Sequence, residues 1–421
     1  MVIGNEHLFN NIDEAISYVL GLEQKAINAD IRRHNVLMSL VRPMPPMLNI
    51  PVDSLDNPYA AWFNGAGDEK FVMTRLQSGR YSLKPNLRNR KYLFRGETTF
   101  HNPSRPSIFR KVSQMRFTKE MILGQELYVL MLSHPLVELL DTGVDLCGVM
   151  CRFEMNLYGL TQHYYNKTSV FDFTSDPLVA AFFATSEYDP IMDKYTPITD
   201  DKHAPGVLYY YSLDIEHDFK TVGGIRSPLS TIGLQVFPRS GRQKGFLFDV
   251  NKGDDLNDTI RLNAVRFKHN AVISNRLFNY YDGGKRLFPD DILMEHWLRK
   301  YKDKNVISTR AIRMNKHFNN DMSLAEIEKE VKGLGLVIQN YKPSFTSDEL
   351  DEYYDAVKNK GLWTDFCNQI FIPGDKDGSM MNALMNLPNN PKYRWAFEHS
   401  EKHVIDYNKG YLLKGYKDCL E

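Results

Sequence analysis

The spacing of apolar residues predicts a helix at the amino-terminal end of the chain. Residues 1–40 carry apolar side chains at three- and four-residue intervals, the period of one face of an α-helix, at Ile12, Ala15, Ile16, Val19 and Leu20. Four prolines between positions 43 and 51 then interrupt the pattern, because proline lacks the backbone donor that a helix interior needs. We therefore expect residues 1–70 to form a helical segment followed by a proline-rich arm.

Short apolar and β-branched runs in the middle of the chain predict strands. The clearest run covers residues 206–213, and shorter ones cover residues 91–94, 234–237, 245–248 and 264–267. Helical spacing is expected over residues 116–160 and again at Ile273, Leu277 and Tyr280, whereas residues 190–205 have the composition of an exposed loop. The prediction for residues 71–305 is an α+β fold, with a mixed or antiparallel β-sheet core and flanking helices.

Residues 306–421 carry the signals of a helical carboxyl-terminal region. Ser323 with Glu326, and Thr346 with Glu349, have capping-box spacing, in which the two side chains satisfy backbone N–H groups at a helix start. Residues 392–408 are expected to form a third helix. Such a region is either structural or a surface for a protein partner, and the sequence does not choose between these two roles.

Composition narrows the class of partner. The 421 residues include 52 Lys plus Arg and 52 Asp plus Glu, so no net field favours nucleic acid or an anionic membrane. The amino terminus has no apolar run of signal-peptide or membrane-span length. We expect a cytoplasmic protein with reduced cysteines, without membrane association, a nucleic-acid partner or a metal site.

Polar residues directly before a clear helix start form the strongest candidate site. Asp176 followed by Pro177 is typical of an N-cap and first helical residue, and the free N–H groups of such a helix start can receive an anion. The polar run before it contains Gln162, His163 and Asp172. About 70 residues upstream, Arg95 follows the short predicted strand over residues 91–94, where its guanidinium can lean over a pocket.

These two segments resemble the FRG domain, a bacterial module named for its Phe-Arg-Gly signature. The matching residues are Phe94, Arg95, Gly96, Gln162, His163, Tyr164, Thr168, Asp172, Thr174, Pro177, Ala180, Phe183 and Ala184. Weaker matches follow over residues 239–246 and 287–290, so the resemblance covers roughly residues 80–300. Tyr165, Ser169 and Phe173 stand where the family usually has glycine, arginine and tryptophan, and the absent arginine removes a charge from the expected pocket.

The FRG domain is distantly similar to the catalytic fold of ADP-ribosyltransferases, which implies NAD as the substrate and no permanently bound cofactor. The resemblance implies that Arg95 binds the pyrophosphate and that Tyr164, Phe171 or Phe173 stacks on nicotinamide. Further residues are implied in binding the nucleotide or ordering the site: Gln162, Thr174 and Ser175. His163 is the candidate acid or base near neutral pH.

The carboxylate that such chemistry requires is the weakest part of the resemblance. Cleavage of the nicotinamide–ribose bond builds positive charge on the sugar, which a carboxylate stabilises. The matching position holds Gln243, a neutral residue, and Asp172 or Glu295 are alternatives for the missing charge. The sequence does not select one of them.

Three hypotheses follow from the sequence. In the first, a cytoplasmic FRG-domain protein binds NAD or a related nucleotide and acts in ADP-ribosyl transfer or NAD hydrolysis, as a bacterial toxin or defence effector. In the second, it is a non-catalytic recognition module for a ligand or a protein partner. In the third, the polar residues are structural: Arg95 pairs with Glu97 or Asp172, and His163 is a satisfied buried side chain.

Overall fold

The computed structural model describes residues 8–40, 54–110, 118–164, 167–189, 192–214, 217–219, 221–222, 225–250, 253–293, 295–296, 305–398 and 409–421. For residues 30–40, 221–222 and 225–226 it describes the backbone alone. Tyr165 and the prolines at positions 43 to 51 lie outside the described residues.

The strands, numbered in chain order, are β1 (Leu8–Phe9), β2 (Phe71–Arg75), β3 (Tyr81–Pro85), β4 (Tyr92–Glu97), β5 (Val144–Leu146), β6 (Val149–Cys151), β7 (Val170–Thr174), β8 (Ser186–Asp189), β9 (Lys194–Pro197), β10 (Gly206–Ser212), β11 (Thr221–Val222), β12 (Ile225–Arg226), β13 (Leu229–Thr231), β14 (Gly245–Asp249), β15 (Leu262–Phe267), β16 (Val306–Ser308), β17 (Val337–Gln339) and β18 (Ile370–Phe371).

The α-helices, also in chain order, are α1 (Ile12–Leu40), α2 (Lys119–Leu132), α3 (Pro135–Thr142), α4 (Leu157–Gln162), α5 (Pro177–Thr185), α6 (Pro238–Arg242), α7 (Ala271–Tyr280), α8 (Thr309–Phe318), α9 (Leu324–Gly333), α10 (Ser347–Lys358), α11 (Leu362–Asn368), α12 (Ser379–Met385), α13 (Arg394–Phe397), α14 (Tyr411–Gly415) and α15 (Lys417–Leu420).

A seven-stranded sheet forms the centre of the fold, in the order β1-β15-β10-β4-β7-β14-β13. The pair β1–β15 is parallel and the other pairs are antiparallel, so the sheet is mixed. The predicted α+β class with a mixed sheet and flanking helices is confirmed. Strand β4 lies in the middle, with Arg95 opposite Tyr209 of β10 and Phe94 opposite Thr174 of β7.

The two faces of this sheet are covered differently. Helices α1, α5 and α7 pack on one face through a cluster that includes Ile16, Phe94, Ala180 and Phe267. The other face is filled by aromatic and aliphatic side chains of the strands themselves and of the segment near Trp62. The apolar residues predicted for α1 are therefore core residues, since Ile12, Ala15, Ile16 and Val19 are all buried.

The largest hydrophobic cluster joins the middle of the chain to its carboxyl-terminal end. It contains Leu127 of α2, Leu160 of α4, Trp363 of α11 and Leu413 of α14. The predicted division at residue 305 stays a prediction, but apolar packing runs across it. Both predicted capping boxes are present, at Ser323 before α9 and at Thr346 before α10.

Three local predictions were wrong. Residues 234–237 are not a strand, because Gly233 has a φ of 67° and turns the chain away from β14, so that the Leu234 N–H binds the Leu83 carbonyl. Residues 116–160 are not continuously helical, because the hairpin β5–β6 interrupts them. In that hairpin the Asp145 carboxylate accepts from the Gly148 N–H at 2.7 Å.

The third error is the exposed loop expected over residues 190–205, where β9 pairs with β8 as a hairpin. Of the helix expected over residues 392–408, α13 forms the described helical part, and residues 399–408 lie outside the described residues.

Candidate functional site

One cleft brings together five of the polar residues that the sequence singled out. Its cavity volume is about 680 Å³, and it lies where β4, β7, α5 and the hairpin β8–β9 meet. The predicted polar residues that line it are Arg95, His163, Asp172, Thr174 and Gln243, and Phe173, one of the rings expected to stack on nicotinamide, lines it as well. Two stretches about 70 residues apart in sequence therefore form a single cavity.

Arg95 projects from β4 and is held by two acceptors. Its Nε and Nη2 donate to Glu97 Oε1 at 3.0 and 2.8 Å, and its Nη1 donates to the backbone carbonyl of Asp172 at 2.9 Å. The guanidinium also lies 4.9 Å from the ring centroid of Phe171. Because alternate residues of a strand face the same side, Arg95 and Glu97 project together, and the arginine is already paired as the structural hypothesis expected.

Glu97 is a site residue that sequence reasoning noticed only as a partner for Arg95. It lines the cleft with its side chain 6% exposed, and Oε1 also accepts from Arg110 Nη2 at 3.2 Å. Its Oε2 lies 4.0 Å from His101 Nε2 and has no hydrogen-bond partner among the described residues. Its position two residues after Arg95 is the signal for a shared face, but the predicted strand ended at residue 94 and the observed β4 continues to Glu97.

Asp172 is the second carboxylate of the cleft. Gln162 Nε2 donates to its Oδ2, and Thr168 Oγ1 donates in turn to Gln162 Oε1, so Gln162 lies behind Asp172 and does not line the cavity. Oδ1 is enclosed and lacks a hydrogen-bond partner within the described part of the chain. Burial raises the pKa of Asp172 to about 7, although the Arg95 charge and the Gln162 hydrogen bond act to lower it.

His163 lies at the end of α4 and is 5% exposed. Burial lowers its pKa to about 4, an interaction with the Gln243 side chain opposes that shift, and the Arg239 charge adds to it. The imidazole is therefore neutral at pH 7. Gln243 is fixed on two sides, since its Nε2 donates to the Leu287 carbonyl at 3.2 Å and its own carbonyl accepts from Thr174 Oγ1 at 2.7 Å.

Besides Gln162, four predicted residues do not line the cleft: Tyr164, Phe171, Ser175 and Glu295. Tyr164 is buried, with its hydroxyl donating to Asp291 Oδ2 at 2.7 Å and the Arg239 guanidinium 5.0 Å from its ring centroid. Ser175 is buried as well, and Glu295 is exposed on the segment after β15 and α7. Nicotinamide stacking on Tyr164 is incompatible with this placement.

An aromatic wall takes the place of Tyr164. It consists of Phe183 from α5 and of Tyr188 and Tyr195 from the hairpin β8–β9. The ring centroids of Phe183 and Tyr195 lie 6.1 Å apart, and those of Tyr188 and Tyr195 lie 5.1 Å apart. The sequence did not reveal this wall, because the pairing that carries Tyr195 to the cleft was read as a loop.

The remaining motif residues hold the cleft together. Arg239 donates to the His163 carbonyl at 3.2 Å and to the Pro289 carbonyl at 3.3 Å, which joins the segments at residues 239–246 and 287–290 to the polar run. Gly96 lies against α5, since a Cβ added there would stand 1.9 Å from the Ala180 carbonyl oxygen. Larger side chains cannot fit at that position without moving the helix.

A family model for the FRG domain matches residues 90–191. The chain contains an FRG domain. The matched residues run from β4 to the hairpin β8–β9 and include Arg95, Glu97, His163 and Asp172, whereas Arg239 and Gln243 complete the FRG cleft from outside the match. No curated protein and no solved structure matches the chain. Among the described residues of this FRG-domain protein, no helix has the length and apolar character needed to cross a bilayer.

Proposed function

We propose that the FRG cleft binds NAD or a related nucleotide and cleaves its nicotinamide–ribose bond, passing ADP-ribose to an acceptor or to water. The observation that supports this proposal is the meeting of Arg95, the carboxylates of Glu97 and Asp172 and the neutral imidazole of His163 beside an aromatic wall in one cavity. The larger role of a bacterial toxin or defence effector belongs to the same proposal. NAD is then a substrate, and no permanently bound cofactor is required.

The parts of NAD match different parts of the cleft. Arg95 uses three of the five N–H donors of a guanidinium, so two remain for a pyrophosphate oxygen. Arg110 is 38% exposed at the same end and adds a second cation. The aromatic wall offers ring faces on which a flat heterocycle stacks, and we assign that task to Phe183, Tyr188 and Tyr195 in place of Tyr164.

The reaction needs negative charge and a proton acceptor. Departure of nicotinamide leaves a cationic sugar, and preorganised carboxylates stabilise such a charge. Asp172, whose pKa is about 7, lies in the range where a general base is most effective at neutral pH. Gln243 carries no charge and instead positions His163.

Calorimetric titration with NAD and with ADP-ribose tests the binding. The wild-type protein is expected to bind at micromolar to millimolar ligand, and Arg95→Ala is expected to weaken binding by about 1.5–3 kcal/mol, the scale of a charged hydrogen bond. Arg88→Ala is the matched control, because Arg88 is exposed and does not line the cleft. Thermal unfolding of both variants separates loss of binding from loss of fold. Absence of wild-type binding at millimolar ligand contradicts the proposal.

A recognition module without turnover is the second candidate. It is favoured by the pairing of Arg95 with Glu97, which fixes the guanidinium in the absence of a ligand. This candidate predicts nucleotide binding without release of free nicotinamide. It also allows a protein partner on the carboxyl-terminal helices, in which case binding of that partner survives Arg95→Ala and Asp172→Asn.

A further inference from the structure

Three carboxylates line the cleft, those of Glu97, Asp172 and Glu187, and their different partners suggest different roles. We infer that Glu97 supplies the negative charge that faces the sugar cation, and that Asp172 takes the proton of the attacking water or acceptor. The inference rests on the proposed function. It assigns the charge to a residue on β4, next to Arg95, and not to the position of Gln243.

The contacts of Glu97 leave one enclosed oxygen without a hydrogen-bond partner among the described residues. Oε1 is held by Arg95 and by Arg110, at 2.8 and 3.2 Å. Oε2 has no hydrogen-bond partner in the described structure, although the side chain lines the cavity and is 6% exposed. A carboxylate oxygen that is enclosed and unpaired is costly, and a cationic or hydroxyl-bearing ligand in the cleft supplies the missing partner.

The other candidates are less suited to carry a fixed charge. Glu187 is 58% exposed and lies 3.0 Å from His203 Nε2, so solvent screens its charge. Gln243 is neutral, and its amide is engaged with the Leu287 carbonyl. Asp172 has Oδ2 bound by Gln162, and with a pKa of about 7 it is only partly ionised at neutral pH. Partial ionisation suits a group that accepts a proton and releases it to solvent.

The positive charges of Arg95 and Arg110 partly cancel the negative charge of Glu97 when no anion is bound in the cleft. The pyrophosphate of NAD carries two negative charges, and guanidinium groups bind such oxygens bidentately. With the pyrophosphate on the free donors of Arg95 and on Arg110, the charge of Glu97 is less compensated. Its effect on the sugar is then greatest when the whole dinucleotide is bound.

The chemical step balances with these residues. The bond between ribose C1′ and nicotinamide N1 breaks, the electron pair leaves with N1, and neutral nicotinamide departs from a cationic sugar that Glu97 stabilises. Water, or an acceptor nucleophile, forms the new bond to C1′ and loses its proton to the Asp172 carboxylate. Asp172 then returns that proton to solvent.

Measurement of nicotinamide release with Glu97→Gln tests the inference. We expect the rate of release at saturating NAD to fall about 100-fold or more, the effect of removing one preorganised electrostatic group. Affinity for ADP-ribose, whose ribose carries no positive charge, reports the Arg95 and Arg110 contacts separately from this effect on the rate. Glu154→Gln is the control, since Glu154 is exposed and does not line the cleft. Release within about threefold of wild type overturns the role of Glu97 and leaves the proposed function standing. A wild-type protein that releases no nicotinamide overturns both.

A second measurement uses the wild-type protein and does not depend on how Glu97→Gln folds. The probes are two nucleotide analogues in which the nicotinamide ribose is replaced by a protonated pyrrolidine or by its neutral tetrahydrofuran isostere. If Glu97 supplies the negative charge, the cationic analogue is expected to bind at least about tenfold more tightly than the neutral one, because it resembles the transition state. Equal affinity for the two analogues overturns the inference.

Discussion

At the scale of single residues, the cleft concentrates polar atoms whose hydrogen bonds are not satisfied by the described chain. Glu97 Oε2 and Asp172 Oδ1 are both enclosed and have no hydrogen-bond partner among the described residues. Leaving a buried polar atom without a partner costs about 1–3 kcal/mol, and native structures tolerate few such atoms. A ligand that forms hydrogen bonds with these two oxygens removes that cost.

Asp172 gives the residue-scale prediction, which concerns the pH dependence of stability. Burial raises its pKa from 3.8 to about 7, so between pH 4 and 7 the folded protein holds a proton that the unfolded chain has lost. The contribution of Asp172 to the free energy of unfolding of the wild type therefore falls as the pH rises through this range. Asp172→Asn does not titrate in this range. The difference in free energy of unfolding between the variant and the wild type is therefore expected to increase in favour of the variant, by a value on the order of 2 kcal/mol, from pH 4 to pH 7.

Urea denaturation at pH 4, 5.5 and 7 measures this difference. His163 contributes the opposite slope, because its folded pKa of about 4 lies below its ordinary 6.5, so stability rises with pH over that interval. That slope is present in both proteins and cancels in the difference. The Arg95 charge is the charged neighbour that lowers the Asp172 pKa, and it is unchanged in the variant. Parallel stability profiles would contradict the raised pKa.

At the scale of elements, the site depends on how closely α5 approaches β4. Phe94 packs against Ala180, Ala181 and Ala184, and small residues on the helix allow its backbone to come near the strand. The helix begins at Asp176, whose carboxylate accepts from the Leu178 N–H at 3.0 Å. Gly96 is required at the contact because a Cβ there would overlap the Ala180 carbonyl.

Gly96→Ala is expected to destabilise the protein by about 1–3 kcal/mol, the usual cost of overpacking a close contact. It should also weaken nucleotide binding, since Arg95 and Glu97 flank the position. Gly21→Ala is the matched control with the opposite sign: a Cβ at Gly21 meets nothing within 4 Å, and alanine is favoured over glycine in a helix interior by about 1 kcal/mol. Denaturation by guanidinium chloride measures the stability of the wild type and of the two variants. Equal midpoints for Gly96→Ala and Gly21→Ala would contradict the close packing at Gly96.

At the scale of the whole molecule, the carboxyl-terminal helices share a core and buried polar contacts with the preceding residues. Glu126 of α2 accepts from Ser308 Oγ at 2.7 Å and from the Tyr341 hydroxyl. Asp141 of α3 pairs with Arg80 at 2.5 Å and accepts from the Leu412 N–H at the start of α14 at 3.0 Å. Because a buried carboxylate is costly without such partners, these contacts couple the two regions energetically.

Leu413→Ala tests this coupling. Leu413 is fully buried in the shared cluster, and truncation of a buried leucine costs about 2–5 kcal/mol. We expect thermal unfolding to remain a single transition at a lower temperature, since the regions share one core. Ile260→Ala is the control, because Ile260 is 84% exposed and its truncation is expected to change little. A second, separate transition in Leu413→Ala would show that residues 306–421 unfold independently.

The sequence by itself determined the local elements and the residue types of the site. Helix α5 is encoded by its cap and first-turn proline, β10 by its β-branched and aromatic run, and the two carboxyl-terminal capping boxes by side chains three residues apart. The sequence also indicated Arg95, His163 and Asp172 as candidate site residues, because polar side chains next to a strand and a helix start interrupt the apolar pattern. The tertiary structure decided what each side chain contacts. Tyr164 is buried in the core, Tyr195 reaches the cleft through the β8–β9 pairing, and Glu97 forms an ion pair with Arg95. These outcomes depend on strand pairing and on contacts between distant segments, which short-range sequence periodicity does not record.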